Sequence, residues 1–129
     1  MAGELILIDT SILIDWYRKT DKANSVWIRL IEKEYEFAIS SITKYEVYAG
    51  ATPSQVALWD TILATILVLS FDESCVDTAV TINAALKRNR KQIDLADLFI
   101  GATAMTHNIG IATLNVNHFE RIDGLTLVT

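Results

Sequence analysis

The chain has 129 residues, 51% of them hydrophobic and 21% charged, with a formal net charge of −5; this is the balance of one globular unit with an ample core and excludes a fibrous or disordered polypeptide. The acidic surplus argues against a non-specific electrostatic grip on nucleic acid, so any nucleic-acid contact has to be local or assisted by metal. No apolar stretch approaches the roughly 20 residues of a membrane span, no basic region precedes an apolar block at the N-terminus, and the single Cys75 excludes an internal disulfide and a cysteine-rich zinc site.

The expectation is therefore a cytoplasmic protein with no membrane contact, in which Cys75 serves as a small buried apolar residue of a helix. The run Leu5, Ile6, Leu7, Ile8 is too short for a buried helix and typical of a central parallel strand. Asp9 breaks that run. Thr10 and Ser11 can cap the helix outlined by Ile12, Leu13, Trp16 and Tyr17, which puts Asp9 at a strand-to-helix turn, the edge where open parallel sheets hold ligands. Residues 21–25 read as a polar turn, and Val26, Trp27, Leu30 and Ile31 as the apolar side of a second helix.

A second strand is expected over 35–39. Thr43 then opens a helix through Ala49, closed by Gly50 as a left-handed cap. Thr52 and Pro53 start the next helix, with Gln55 placed for a capping box and Val56, Leu58, Trp59, Ile62 and Leu63 on its apolar side. Residues 66–69 form the third strand, and Asp72 caps a long helix carrying Val76, Ala79, Val80, Ile82 and Leu86 at helical spacing. Asp94 caps the helix Leu95–Thr106, which Asn108 and Gly110 end; short strands at 111–113 and 125–128 complete the chain. There is one Pro, no Gly/Ser-rich run and no fixed repeat, so a single domain over 1–129 is expected. Strands alternating with helices imply a three-layer α/β/α domain around a mostly parallel, five-stranded sheet.

In such a sheet the strand C-termini and the helix N-termini gather on one side. Asp9 follows the first strand, Glu46 lies in the first turn after the second, Asp94 and Asp97 begin the helix before the fourth, and Asn115 follows that strand. Carboxylates forced onto one rim repel unless cations neutralise them, and hard oxygen ligands suit Mg²⁺ or Mn²⁺. Each acid also has a plainer use. Thr43 and Glu46 have the spacing of a capping box, and Asp94 and Asp97 stand at a helix start where the dipole favours negative charge. Asp9 is harder to dismiss, since a lone carboxylate directly after a buried strand is poorly placed for solvation.

The segments ILIDTSILID, SSITKYEVYAG and DLADLFIGATAMTHNIGIATLNVNHFERIDGL, in that order, resemble PIN-domain ribonucleases and are similar to the VapC toxins of VapBC toxin–antitoxin pairs; the resemblance covers nearly the whole chain. It implies a metal-dependent endoribonuclease with Mg²⁺ or Mn²⁺ held by Asp9, Glu46 and Asp97, which fall on three of the family's acids. The fourth position falls on Asn115, where many members carry Asp, or another acid slightly downstream where this chain has His118; Asp94 and Asn115 are the further ligand candidates. One carboxylate would take the proton of the attacking water, and Thr10 and Ser11 would orient Asp9. His118 is expected to cap or to pack beside Phe119 rather than to bind metal. The resemblance also implies an antitoxin of the VapB kind as partner and a homodimer.

The basic run Lys87, Arg88, Arg90 and Lys91 either balances a helix C-terminus or lies beside the metal rim and holds the RNA backbone; Arg18, Lys19 and Lys22 form a second such cluster. Trp16, Tyr17, Trp27, Ile28 and Tyr48 exceed one core stripe, which suggests either aromatic core packing or an apolar groove of the kind that takes the antitoxin in the resembled family. A phosphoacceptor receiver domain has a similar length and sheet, but the adjacent acids, acceptor Asp and Lys it needs are not supplied by Asp9-Thr10, Leu69-Ser70 and Val128-Thr129. The alternative to an active nuclease is a PIN-like module with a weakened site that serves binding or assembly.

Overall fold

The computed structural model describes residues 3–128. Its elements in chain order are β1 (Leu5–Ile8), α1 (Thr10–Arg18), a 3₁₀ turn (Lys22–Asn24), α2 (Val26–Glu32), β2 (Glu36–Ser40), α3 (Ser41–Ala49), α4 (Pro53–Leu63), β3 (Leu67–Leu69), α5 (Glu73–Arg88), α6 (Leu95–Thr106), β4 (Gly110–Ala112) and α7 (Val116–Phe119). The sheet order is β3-β2-β1-β4 with every pairing parallel, and β1 is central, opposite Glu36 to Ala38 on one side and Gly110 to Ala112 on the other. A strand with neighbours on both edges and helices on both faces has to be apolar throughout; Ile6, Leu7 and Ile8 are all fully buried.

Alternation along β1 divides the core into two layers. Ile6 and Ile8 join Ile12, Leu13, Trp27, Leu30, Val47, Trp59 and Leu63 from α1 to α4. Leu7 joins Ala79, Ile82, Leu86, Leu98, Ile100, Phe119 and Ile122 from the α5, α6 and α7 side. Cys75 is buried, as expected. Among the described residues no helix is long and apolar enough to cross a membrane.

Several expectations are corrected. Among the described residues the sheet has four strands, not five. Residues 125–128 only clip onto Ile111, whose N–H donates to Thr126 O at 2.9 Å and whose carbonyl accepts from Val128 N at 2.8 Å. Successive residues of a strand present their polar groups to opposite edges, so a three-residue β4 that uses Gly110 and Ala112 against β1 leaves Ile111 alone to face outward. Gly50 ends α3 with φ −90° and ψ −4°, right-handed and not left-handed. Among the described residues the left-handed positions at helix ends fall on Glu34, Arg90 and Asn108, just past α2, α5 and α6, and Gly124 is a further one beyond α7.

Helix α3 starts earlier than expected. Buried Ser40 caps it, accepting from Ile42 N at 3.1 Å. Thr43 and Glu46 are therefore interior residues of α3 and no capping box forms there, whereas the Thr52 and Gln55 box of α4 is present. At α1 the cap is Asp9 itself, its side chain accepting from Ser11 N, and not Thr10 or Ser11. The aromatic residues near α1 are mostly used in packing: Trp16 meets Trp27 and Trp59 edge-on at 5.5 and 6.2 Å, and Tyr17 lies 5.5 Å from Trp59.

Candidate metal centre on the rim of the sheet

Asp9 ends the central strand and is only 2% exposed. Its Oδ1 accepts from Ser11 N at 2.7 Å and from the Ser11 hydroxyl, and its Oδ2 accepts from the Thr113 hydroxyl at 2.7 Å. Both hydroxyls are themselves loaded by backbone donors of the loop after β4: Leu114 N donates to Ser11 Oγ at 3.0 Å and Asn115 N donates to Thr113 Oγ1 at 2.8 Å. Two amide-to-hydroxyl-to-carboxylate relays thus tie that loop to β1, each bond polarising the next. Burial raises the Asp9 carboxyl above its ordinary value of 3.8, the bonds from Ser11 and Thr113 pull it back, and the negative charge of Asp97 adds to the rise. Asp9 and Asp97 therefore share one electrostatic environment, although α6 lies far along the chain.

Glu46 is held by a different strap. The Thr10 hydroxyl donates to Glu46 Oε1 at 2.6 Å and lies 3.2 Å from the hydroxyl of buried Thr43. Thr10 thus serves Glu46, not Asp9; of the two residues expected to orient Asp9, only Ser11 does so.

Asp97 sits in the first turn of α6. Its Oδ2 lies 2.7 Å from Asn115 Nδ2 and 2.7 Å from His118 Nδ1, and the Asn115 amide and the imidazole are 2.9 Å apart. Asp94, Asp97 and His118 each place one ligand atom within 4.8 Å of the others. Asp94 occupies the cap position of α6 but makes no side-chain capping bond, contrary to expectation, and its exposed carboxylate belongs to this group. His118 is likewise not a helix cap or a packing partner of Phe119 alone; half-exposed, it fastens onto Asp97. Of the expected ligands, then, Asp97, Asp94 and Asn115 lie together with His118, while Asp9 directly follows β1 and Glu46 projects from α3, each engaged by hydroxyls.

A family model described as PIN domain matches residues 6–125. The chain is a member of the PIN-domain family. It is 33% identical over 118 residues to "Ribonuclease VapC1" of Methanocaldococcus jannaschii, covering 91% of this chain and 80% of that protein. It is 30% identical over 124 residues to "tRNA(fMet)-specific endonuclease VapC" of Shigella flexneri, covering 92% of each. A solved toxin–antitoxin complex from Klebsiella pneumoniae contains a chain that superposes with a TM-score of 0.75 at 29% identity, with 96% of each chain covered.

The donor set of this PIN domain fits a hard divalent cation. Asp94 and Asp97 converge with His118 within 4.8 Å, the Asn115 amide bonds the same Asp97 oxygen, and the charge of Asp97 acts on buried Asp9, so oxygen donors with surplus negative charge face one another. The PIN domain's basic residues divide less simply. Lys22 is not free for a ligand: its Nζ donates to the carbonyls of Trp16 and Tyr17 in the last turn of α1 and of Lys19 just past it, at 2.9, 3.1 and 3.3 Å, and lies 4.6 Å from the Trp16 ring centroid. Lys19 pairs with Asp15 at 3.8 Å. Lys87 and Arg88 occupy the last turn of α5, the plainer of their two expected uses, while Arg90 and Lys91 stand beyond it in the loop that leads to Asp94. Thr113 was missed in the sequence, its only signal being a Thr two residues before Asn115 directly after a strand.

Proposed function

We propose that this PIN domain is a metal-dependent endoribonuclease, the toxin of a toxin–antitoxin pair, that hydrolyses RNA phosphodiester bonds at the rim formed by Asp9, Glu46, Asp94 and Asp97. The observation that carries the reading is the convergence of Asp97 with Asp94 and His118 within 4.8 Å, next to buried Asp9, at the edge where the strands end. Two relatives, one named a VapC ribonuclease and the other a tRNA-specific VapC endonuclease, alike over most of both chains, support it. The likeness to a toxin–antitoxin complex supports a protein antitoxin of the VapB kind as partner.

Asp9, Glu46 and Asp97 would hold Mg²⁺ or Mn²⁺, with Asp94 and Asn115 as the further oxygen donors. Such an ion, when bound, supplies Lewis-acid stabilisation of charge on the phosphoryl oxygens and a water of lowered pKa. The remaining work falls to side chains. Ser11 and Thr113 hold the Asp9 carboxylate by both oxygens, and Thr10 does the same for one oxygen of Glu46. Asn115 and His118 fix the rotamer of Asp97 through a single oxygen. Asp94, exposed and without a capping bond, would accept the proton of the attacking water when it does not serve as a ligand, as the water's oxygen bonds to phosphorus and the ester bond to the leaving oxygen breaks.

The test is RNA cleavage by the purified protein with Mg²⁺, Mn²⁺ or EDTA, alongside Asp97→Asn. Cleavage that needs the divalent ion and is lost in the variant is expected. Equal cleavage in EDTA overturns the metal assignment, and a wild type that neither cleaves nor binds Mn²⁺ leaves the weakened binding module as the reading.

A further inference from the structure

We infer that Arg121, with Arg90 and Lys91, forms a binding pocket for a backbone phosphate of the RNA other than the one that is cut. This rests on the nuclease reading and names how its substrate is held. After α7 the chain makes one more turn, with Glu120 N donating to Val116 O at 2.9 Å, Arg121 N to His118 O at 3.2 Å and Ile122 N to Phe119 O at 3.1 Å. Phe119 and Ile122 are buried at 0% and 3% exposure and anchor that turn in the core, so the backbone of Arg121 is fixed three residues beyond the imidazole that holds Asp97. The Arg121 side chain reaches the loop between α5 and α6, where Nη1 donates to Gln92 O at 3.1 Å, two residues before Asp94.

Beside that bond lies an open depression of about 410 Å³ lined by Arg90, Lys91, Glu120 and Arg121. The chain reaches it from α5 by a tight reversal, Arg90 taking φ +54° and Lys91 N donating back to Leu86 O at 2.9 Å. Among the described residues none of the three cations forms an ion pair. The guanidinium of Arg121 has five N–H donors and spends one on Gln92, which leaves a fork suited to two oxygens of one phosphate. Glu120 reduces the four lining residues to a surplus of about two positive charges, and Asp77 and Asp123 line the adjoining depression that Lys91, Glu120 and Arg121 also border, so the charge is on the scale of one phosphate and too little for a polyanion held at random. The sequence run 87–91 therefore splits, Lys87 and Arg88 belonging to the helix end and Arg90 and Lys91 to this pocket, whose third cation comes from beyond α7.

Binding without turnover separates this pocket from the metal site. The full-length protein is titrated, in EDTA, with a fluorescein-labelled single-stranded RNA of about a dozen nucleotides at several salt concentrations, while cleavage is followed separately with Mn²⁺. Arg121→Gln and Lys91→Gln should each weaken binding by about tenfold and reduce the slope of log affinity against log salt by about 0.7, the value for one phosphate contact on a single strand. Arg121→Lys should restore much of the salt slope and less of the affinity, because a point charge replaces a fork. In cleavage the same variants should raise KM with kcat nearly unchanged. Lys44→Gln, an exposed cation outside the pocket, should change neither measurement. Unchanged binding and slope in both pocket variants, or no RNA binding by the wild type in EDTA, overturns the pocket; normal RNA binding with no cleavage in any metal overturns the nuclease reading and leaves the pocket standing.

Discussion

His118 Nδ1 stands 2.7 Å from Asp97 Oδ2 although 21 positions separate the two residues, and the same oxygen accepts from Asn115 Nδ2 at 2.7 Å. Two partners on one carboxylate oxygen hold the Asp97 side chain in one orientation, as outer partners do for metal ligands in general. For Nδ1 to bond Asp97 it has to carry the proton, so its 2.9 Å approach to the Asn115 amide is a close contact and not a second bond.

His118→Ala should accordingly lower the metal-dependent cleavage rate by about 10- to 100-fold and weaken Mn²⁺ binding, with little change in melting temperature, since the ring is partly exposed. A variant with wild-type metal affinity and rate would show that the contact does not position Asp97.

Asp94 and Asp97 should separate by stability. Without a capping bond, Asp94→Ala should cost less than about 0.5 kcal/mol, well under the 0.5–2 kcal/mol of a lost helix cap. Asp97→Asn should change stability little and remove most of the metal-dependent rate. Melting curves in EDTA and cleavage rates at saturating Mn²⁺ decide; a large loss of stability in Asp94→Ala would mean that the carboxylate caps α6 in solution.

Asp9→Asn should hold or raise the melting temperature of the metal-free protein at neutral pH while abolishing cleavage. The carboxyl is raised in the folded state, chiefly by burial, so its contribution to stability is fully present below the unfolded value near 3.8 and is lost as pH rises through the folded value. An amide does not ionise and can donate to Thr113 Oγ1 while its oxygen still accepts from Ser11. The advantage of the variant should therefore grow from acidic to neutral pH and shrink again when Mn²⁺ is added to the wild type. Melting temperatures against pH, with and without Mn²⁺, test this, and an advantage that falls with rising pH contradicts the assignment of Asp9.

Thr10→Val keeps the shape of the side chain and removes the 2.6 Å donor to Glu46. Cleavage should fall by about tenfold or more while the fold persists. Thr43→Val, which leaves the bond to Glu46 in place, should act mainly on stability. Equal rates for wild type and Thr10→Val would show that Glu46 does not need the strap.

Features that depend on neighbours along the chain are legible in the order of residues. The apolar run before Asp9 and the helical spacing of Val76 to Leu86 specify a central strand and a long helix, because burial on two faces or on one stripe is written in the order of residues. The three family segments also carried the likeness to PIN domains. What the tertiary structure decided is where polar side chains spend their hydrogen bonds. Whether Glu46 answers the backbone or Thr10, whether Asp94 caps α6 or joins Asp97, whether Lys22 meets a ligand or the end of α1, and which element completes a pocket with Lys91 all turn on groups distant in the chain. The fifth strand failed for a related reason: a three-residue β4 has only Ile111 to offer its outer edge, and that is known only once β1 has taken the other side.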